Sequence, residues 1–202
     1  SSCRSNEGGN THLAVVLAPG ANLPQQSLPL NPGGVVYDAT TRTPVPGARV
    51  TLTPIGTCAG YTPEQHVLNA ALGGYSVQGT SISMTVGAEG FYQFLLGPNA
   101  PASCRFQLAV TPPAGYTFES GMIPAETSSL TPPSTPGEGY PVQTNATAPT
   151  GPVGTSTTYY LELTLGSGVA VPVHNHIPLD PQIAPGLVIT KTGDRKTVEV
   201  GD

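Results

Sequence analysis

The tripeptide His174-Asn175-His176 sets two imidazole rings two positions apart, a spacing at which both could bind one metal ion. If this stretch is a β-strand, side chains two residues apart share a face, so the rings would form a two-point patch. A zinc site needs three or four ligands, and no cysteine or carboxylate pair stands nearby in the sequence. Nuclease motifs known by the same letters have widely spaced residues instead. We therefore predict surface or interstrand histidines, with no resident metal or other cofactor.

Two further combinations have the residue types for catalysis, and both are incomplete in the sequence. A Ser-His-Asp triad could combine a serine with His66 or His174 and with Asp38, but no Gly-x-Ser-x-Gly turn marks a nucleophile. Cys104 and Gln107 match an internal thioester by type, yet on a strand they point to opposite faces. We therefore predict that the chain is not an enzyme.

Calcium prefers several carboxylate and carbonyl oxygens gathered around one ion. The candidate carboxylates Asp38, Glu89 and Asp180 stand far apart, and the chain lacks an Asp-x-Asp-x-Asp run that would supply ligands from one loop. The ends of a β-fold can bring such distant residues together, so a weak calcium site stays an open alternative.

Exposed aromatic rings can stack on sugars, and five tyrosines are candidates for such a surface. The chain has no tryptophan, which weakens the case for a carbohydrate-binding face. Tyrosines of this kind more often close the ends of a β-sandwich with the hydroxyl group hydrogen-bonded. The candidates are Tyr61, Tyr116, Tyr140, Tyr159 and Tyr160.

The composition indicates a weakly charged, exported protein. Only 9% of the 202 residues are charged, and 25 glycines and 23 prolines divide the chain into short stretches. The formal net charge of −5 argues against nucleic acid or an anionic membrane surface as a partner. No apolar run approaches the roughly 20 residues of a membrane helix, and no signal peptide begins the chain. We expect a mature or internal part of a protein located outside the cell or on its surface.

The three cysteines are an odd number for an exported protein, so one is spare or pairs elsewhere. Cys58 and Cys104 both stand beside predicted strands, and a bridge between them would contribute about 3–4 kcal/mol to stability. We predict the disulfide Cys58–Cys104, with three free buried thiols as the alternative. Cys3 lies in a weakly patterned leader, and its partner is not identified.

Short apolar stretches separated by proline and glycine predict an all-β fold. Residues 49–55 alternate apolar and polar side chains, as a half-buried antiparallel strand does. About seven strands with turn signals between them predict an immunoglobulin-like sandwich of two antiparallel sheets. The other expected strands cover 34–39, 75–77, 81–86, 91–96, 105–111, 157–165 and 168–174, and one short helix could cover 63–72.

Residues 119–156 interrupt this pattern, because they are poor in apolar side chains and rich in proline, threonine, serine and glycine. The stretch is either a long loop that lies over the sandwich or a mobile excursion. Long loops often carry recognition, so this one is the expected binding surface if the module has a ligand. A spacer loop without a specific role is the favoured interpretation.

The two ends of the chain resemble each other. Residues 13–32 and 161–181 each contain an apolar strand, a glycine turn and a closing Leu-Pro-Leu-Asn-Pro or Ile-Pro-Leu-Asp-Pro. This repeat predicts closing strands of one module at 1–32, a complete module at 33–181 and opening strands of another at 182–202. Strands without a partner in their own module can complete the sheet of another chain. The residues expected to do so are Leu13, Val15, Leu17, Leu187, Ile189, Val198 and Val200.

The stretches GGVVYDATTRTPVPGARVTL, GAEGFYQFLL and FQLAVTPPAGYTF follow one another between residues 33 and 118. Together they resemble the carboxypeptidase-regulatory-like and B-repeat modules of bacterial surface proteins, which are transthyretin-like, prealbumin-type β-sandwiches. The final GLVITKTGDRKTVEVGD resembles the start of a conserved-repeat β-sandwich that occurs in tandem in very large surface proteins. The Lys–Asn isopeptide bond of related modules is excluded within 33–181, because Lys191 and Lys196 are the only lysines.

The resemblance implies a stalk, spacer or adhesin segment of a multi-domain bacterial surface or secreted protein, with neighbouring modules of that protein as partners. Two alternatives are open. In the first, identical subunits form a filament head to tail by strand complementation through the terminal strands. In the second, the 119–156 loop binds a glycan or another host surface ligand. We expect no nucleic-acid partner and no insertion into a membrane.

Overall fold

The computed structural model describes residues 31–97, 99–101, 104–131, 142, 145–155, 157–164 and 172–182. In this part of the chain, strands form two sheets that pack together, so the predicted all-β sandwich is confirmed. The four-residue helix α1 (Pro63–His66) is far shorter than the about 20 residues that cross a bilayer. The strands are β1 (Asn31–Asp38), β2 (Arg49–Ile55), β3 (Tyr75–Gln78), β4 (Ser81–Thr85), β5 (Phe91–Gln93), β6 (Arg105–Thr111), β7 (Tyr116–Thr117), β8 (Glu162–Thr164), β9 (Pro172–His174) and β10 (Ile177–Pro181).

One sheet is antiparallel and has the strand order β3-β4-β2-β6-β8. Its central strands β2 and β6 pair along their whole lengths. Every second side chain of β6 is buried, so Phe106, Leu108 and Val110 face the core while their neighbours face solvent. The strands predicted at 49–55 and 105–111 therefore form as expected, because their alternating pattern matches a sheet with one buried face.

The other sheet has the order β5-β1-β10-β7, and β9 also pairs with β1. Strand β1 is antiparallel to β5 but parallel to both β9 and β10. The register is the same for both parallel pairings, because Gly33 lies opposite His174 and Val36 lies opposite Ile177. Residues 172–179 therefore follow β1 from its first residue to its last. The expectation of two purely antiparallel sheets is wrong here, because the chain returns to β1 in the direction in which β1 runs.

The returning chain lies very close to β1 at Gly34. A Cβ atom on this residue would lie 2.5 Å from the carbonyl oxygen of Asn175 and 2.7 Å from its carbonyl carbon. Both of these atoms belong to the backbone, so they cannot turn away as the end of a flexible side chain could. Space, rather than an unusual backbone angle, makes glycine necessary at this position.

Aromatic side chains make up much of the core between the two sheets. The largest fully buried side chains come from both sheets and from the segment before β8, so the two layers share one continuous interior. Edge-to-face contacts order this interior, with the rings of Tyr61 and Phe106 centred 5.0 Å apart. The fully buried aromatic residues are Tyr37, Tyr92, Phe94, Phe106 and Tyr159.

A disulfide joins Cys58, which follows β2, to Cys104, which precedes β6, with 5.3 Å between the Cα atoms. Since β2 and β6 are paired neighbours, the bridge links the two chain segments where they leave the sheet. The favoured pairing from the sequence is therefore the one present, and the alternative of three free thiols is wrong. Cys3 lies outside the described residues.

The described beginning of the predicted 119–156 loop lies against the antiparallel sheet. The Leu130 N–H donates to the carbonyl of Glu162 at 2.9 Å, and the Thr164 N–H donates to the carbonyl of Leu130 at 2.8 Å. Both Leu130 and Ile123 are buried. Of the two alternatives for this stretch, a loop over the sandwich describes it up to residue 131.

Two elements are shorter than predicted because tertiary hydrogen bonds take their backbone groups. The helix expected at 63–72 has a single turn, since the Leu68 N–H donates to the carbonyl of Leu95 at 2.7 Å. The strand expected at 91–96 ends at Gln93, whose carbonyl accepts hydrogen bonds from side chains instead of a neighbouring strand.

The late strands also differ from expectation. The strand predicted at 157–165 is reduced to β8, and the strand predicted at 168–174 is described only as β9. Strand β10 is not among the expected strands, because the last predicted strand of the module ends at residue 174 and residues 177–181 are interpreted only as a closing motif. The module boundaries therefore stay predictions, as do the terminal residues expected to complement a partner sheet, all of which lie outside the described residues: Leu13, Val15, Leu17, Leu187, Ile189, Val198 and Val200.

Substitution of Gly34 by alanine tests the close approach of the last strands to β1. We expect Gly34→Ala to lower the free energy of unfolding by about 3 kcal/mol, because the new methyl group forces two paired backbones apart. The control is Gly73→Ala, where a Cβ atom would meet nothing within 4 Å. Chemical denaturation should separate the two variants clearly, and an equal effect of both would contradict the proposed crowding.

Candidate functional site

The most specialised polar structure in the described residues is the junction between β9 and β10, which we call the clasp and which consists of Asn175 and His176. Both side chains are buried, with exposed fractions of 0% and 1%. The Asn175 N–H donates to the carbonyl of Gly33 at 2.8 Å. One step further, the Val35 N–H donates to Nδ1 of His176 at 2.9 Å. A side-chain nitrogen thus takes the place of the backbone acceptor in the parallel pairing with β1.

The amide of Asn175 connects the clasp to the segment before β8. Its Oδ1 accepts from the Tyr160 N–H at 2.8 Å, and its Nδ2 donates to the carbonyl of Tyr160 at 2.8 Å. The Asn175 carbonyl also accepts from the Tyr92 hydroxyl at 2.6 Å. The side chain therefore imitates a strand edge, with one donor and one acceptor facing the same residue.

His176 is held as a neutral ring by its partners on both nitrogens. Because Nδ1 accepts from Val35, the other nitrogen, Nε2, carries the proton and donates to the carbonyl of Asn145 at 2.8 Å. Burial lowers the pKa of His176 to about 4, and the His174 ring acts in the same direction, whereas the bond to Asn145 opposes the shift. Both nitrogens are occupied, so this ring has no lone pair left for a metal ion.

His174 lies at the end of β9 and is only partly buried. Its ring stacks on that of His176, with centroids 6.1 Å apart and planes 9° apart. The interpretation as interstrand histidines therefore fits His176, whereas a surface position is wrong for it. Within the described residues, no group of three or more histidine, cysteine, aspartate or glutamate side chains could hold a metal ion.

Asp38 anchors a turn at the far end of β1. Its Oδ1 accepts from the N–H groups of Thr40 and Thr41, both at 2.7 Å, and its Oδ2 accepts from the Tyr116 hydroxyl at 3.1 Å. Burial alone would raise the pKa of Asp38, but these hydrogen bonds outweigh it and hold the pKa below its ordinary value.

Asp180 anchors a second turn at the same end of the sheet, because Asp38 pairs with the residue before it, Leu179. Its carboxylate accepts from the Ser120 hydroxyl, from the Gly121 N–H at 2.7 Å and from the Met122 N–H at 3.2 Å. The fold thus brings these two candidate calcium ligands to one end of the sandwich, where each is already bonded to its own turn. Glu89 is exposed in the turn before β5 and is not among the groups that bond to either carboxylate.

The catalytic combinations considered from sequence do not assemble in the described residues. Nδ1 of His66 lies 3.0 Å from the carbonyl of Thr62 in its own helical turn, and the Asp38 carboxylate bonds to Thr40, Thr41 and Tyr116 instead of a histidine. A thioester between Cys104 and Gln107 is ruled out because the Cys104 sulfur is in the disulfide.

The tyrosines considered for sugar stacking are largely interior. Tyr61, Tyr159 and Tyr160 are buried, so a stacking role is wrong for them. Tyr159 instead donates its hydroxyl to the carbonyl of Ile123 at 2.9 Å, while the buried Tyr61 hydroxyl has no partner among the described residues. Tyr116 is partly buried and bonded to Asp38, and Tyr140 lies outside the described residues.

An open cavity of ≈ 310 Å³ lies where the 119–131 stretch meets β8. Its lining is polar and acidic and contains no aromatic side chain. Glu162 in this lining pairs with Arg105 at 2.6 Å, and both side chains are about half exposed. The lining residues are Gln107, Glu119, Ser120, Pro124, Ala125, Glu126, Thr127, Ser128, Leu161 and Glu162.

Sequence reasoning identified His174 and His176 as conspicuous but missed Asn175, which makes the larger set of contacts. One signal was available, because the pair Gly33-Gly34 stands at the start of an otherwise apolar strand. Adjacent glycines in a strand indicate the close approach of another backbone. They do not indicate which residues approach.

The neutral state of His176 predicts an acid-dependent loss of stability. With the pKa lowered from 6.5 to about 4, the unfolded state binds more protons between these values, so this contribution is complete above pH 6.5 and is lost towards pH 4. The loss should approach about 3 kcal/mol. Denaturation midpoints of the natural protein and of His176→Gln, measured from pH 7.5 to pH 4, check this expectation.

His176→Gln should be less stable at pH 7.5 by about 1–3 kcal/mol, since its amide cannot reproduce both bonds of the ring. Its stability should then fall less steeply on acidification, so the two curves converge. Parallel curves would mean that His176 does not titrate as its surroundings require.

Comparison with known proteins found no matching family model, no matching curated protein sequence and no matching solved structure. The resemblance to carboxypeptidase-regulatory-like and B-repeat modules therefore stays a prediction from the sequence.

Proposed function

We propose that this chain is a non-catalytic stalk or spacer module of a multi-domain exported protein and that it transmits tension along its length. The observation that carries the proposal is the parallel pairing of β1 with β9 and β10. The described chain enters the sandwich at the start of β1 and leaves it at the end of β10. These two points lie at opposite ends of one strand pair.

This geometry decides how a pull on the flanking chain would act. A force applied before Asn31 and after Pro181 draws β1 and the pair β9–β10 in opposite directions along their common axis. Hydrogen bonds across the strands are then loaded together in shear, rather than opened one after another from an end. The strand pair resists until many bonds fail at once, which is the property that a load-bearing connector needs.

The clasp adds resistance at the middle of this strand pair. Sliding β1 by one residue would move Gly34 away from the Asn175 carbonyl and put a side chain into that contact. The same slip would separate Val35 from Nδ1 of His176. A buried donor or acceptor left without a partner costs about 1–3 kcal/mol, so the clasp opposes the first step of sliding.

The disulfide supports both the compartment and the mechanics of the proposal. Disulfides persist in oxidising, extracellular surroundings, which favours an exported protein. Cys58 and Cys104 are separated by 46 positions, so the chain between them cannot extend while the bridge is intact. A bridge over such a loop also contributes about 4 kcal/mol to stability.

Single-molecule stretching tests the dependence on pulling direction. Tension applied through the two termini of the full chain should give a higher unfolding force than tension between residue 80, in the β3–β4 turn, and the C-terminus, because only the first loads β1 and β10 in shear. Attachment through Thr80→Cys, with Cys3→Ser in both samples, provides the matched pair. An equal or lower force through the termini would argue against a load-bearing role.

The bridge should also limit the length released on unfolding. Between the oxidised and reduced protein, we expect the unfolding step to lengthen by about 150 Å, since 46 residue spacings become free to extend. Stretching with and without reductant measures this difference, and Cys58→Ala should match the reduced sample. A step that does not change with reductant would show that the bridge does not shield this segment.

A further inference from the structure

The two sheets have four outer edges, and three of them offer little to a pairing strand in the described residues. β8 is covered by Leu130 through two backbone hydrogen bonds. At β5 the Gln93 carbonyl accepts from the Tyr75 hydroxyl at 2.6 Å and from the Asn69 amide at 3.1 Å. β7 has only two residues. The fourth edge is β3, whose outer side meets no strand in the described residues and which, with four residues, is longer than β5 or β7.

The hairpin geometry shows which groups β3 presents outward. A two-residue turn, Gly79-Thr80, joins β3 to β4, so Gln78 and Ser81 form the first hydrogen-bonded pair. Pairs alternate along an antiparallel ladder, so Val77 opposite Ile82 belongs to the kind whose N–H and C=O point away from the partner. No hydrogen bond among the described residues uses the Val77 N–H. Within the described part of the chain, this donor and its carbonyl are therefore open to an added strand.

Two exposed leucines occur in the segment that leads into this edge strand. Leu68 and Leu72 are exposed at 62% and 63%, the highest values for large hydrophobic side chains in the described residues. Leu72 lies directly before β3, since its carbonyl accepts from the Tyr75 N–H. Strand addition uses two features: backbone groups that can form hydrogen bonds, and an apolar surface on which every second side chain of the added strand packs. The open edge of β3 provides the first, and the exposed leucine before it provides the second.

The start of β1 is connected to the start of β3 through Gln93 and Phe94. The Pro32 carbonyl accepts from the Phe94 N–H at 3.0 Å, and the preceding Gln93 accepts from the hydroxyl of Tyr75, the first residue of β3. Two hydrogen bonds thus connect the backbone at the start of β1, through Phe94 and Gln93, to the side chain of the first residue of β3. The C-terminal side leaves after Pro181, beyond the opposite end of β1.

We propose that residues 13–17, LAVVL, add to the open edge of β3 as a strand from the same chain, with alternate side chains covering Leu68 and Leu72. The segment suits this place because it is rich in β-branched and aliphatic residues. No charged residue occurs between Glu7 and Asp38, so no charge opposes the packing of residues 13–17 against an apolar surface. The competing segment 187–191 ends in Lys191 and is followed by Asp194 and Arg195.

The length of chain allows this pairing within one molecule. Residues 18–30 can extend over about 40 Å, which is more than the diameter of a small domain. A tethered segment meets its site at an effective concentration in the millimolar range, so the same chain outcompetes a second copy in dilute solution. Docking also hides the edge from other molecules, which protects it from edge-to-edge association.

Amide hydrogen exchange of the full chain tests the proposal at Val77. Strand addition protects the Val77 N–H, and Val15→Pro, which removes a ladder donor and disrupts the added strand, should speed its exchange by at least about tenfold. The matched control is Ile189→Pro in the competing segment, which should leave the Val77 rate unchanged. Neither residue belongs to the described core, so we expect neither change to unfold the sandwich.

The proposed packing on the exposed leucines is tested by the amide hydrogen exchange of residues 13–17 themselves. Leu72→Asp should speed their exchange, whereas Val153→Asp, at another exposed apolar position of 54%, should not. Fast Val77 exchange in the natural chain, or protection lost only in Ile189→Pro, would overturn the proposal. Protection that disappears on dilution would overturn it as well, by indicating a strand from a second copy.

Discussion

The described structure depends on the parallel contact of β1 with the chain that returns beside it, and this contact exists because Gly34 has no side chain. The missing Cβ lets the backbone of Asn175 come close enough for its N–H to reach Gly33. The common register then places β9 along the first residues of β1 and β10 along its last residues. The position of the turns bound by Asp38 and Asp180 then follows, because both residues lie just beyond the paired region.

Placing polar residues in this contact has a desolvation cost that hydrogen bonds offset. Asn175 and His176 are buried among apolar side chains, and a buried amide or imidazole is unfavourable unless it is hydrogen-bonded. Every polar atom of the two side chains has a partner, and the partners are mostly backbone groups. Because such partners are positioned by the fold itself, the clasp favours one register over its neighbours.

The alternation of apolar and polar residues correctly predicted the strands that depend on such local alternation. In strand β2, the buried Val50 and Leu52 alternate with more exposed neighbours. The two cysteines of the bridge flank strands that pair with each other. The parallel return was not predictable in this way, because the partners Val35 and His176 are 141 positions apart and no periodicity connects them. For the same reason His176 is a candidate metal ligand when judged from the sequence alone. In the structure its two ring nitrogens bond to the backbone of Val35 in β1 and of Asn145 in the loop. The short α1 shows the converse, since the distant Leu95 determines where the helix ends.

The return of the last strands to the first has a consequence for how the polypeptide acquires its shape during synthesis. The neighbour on the parallel side of β1 is made more than a hundred residues after β1 itself, so that side stays unfilled while the chain between them is synthesised. Pairings of such long sequence separation form slowly, and incomplete chains expose strand edges meanwhile. Folding of this sandwich is therefore expected to finish only after β10 has been made, because the sheet that contains β1 is incomplete until then.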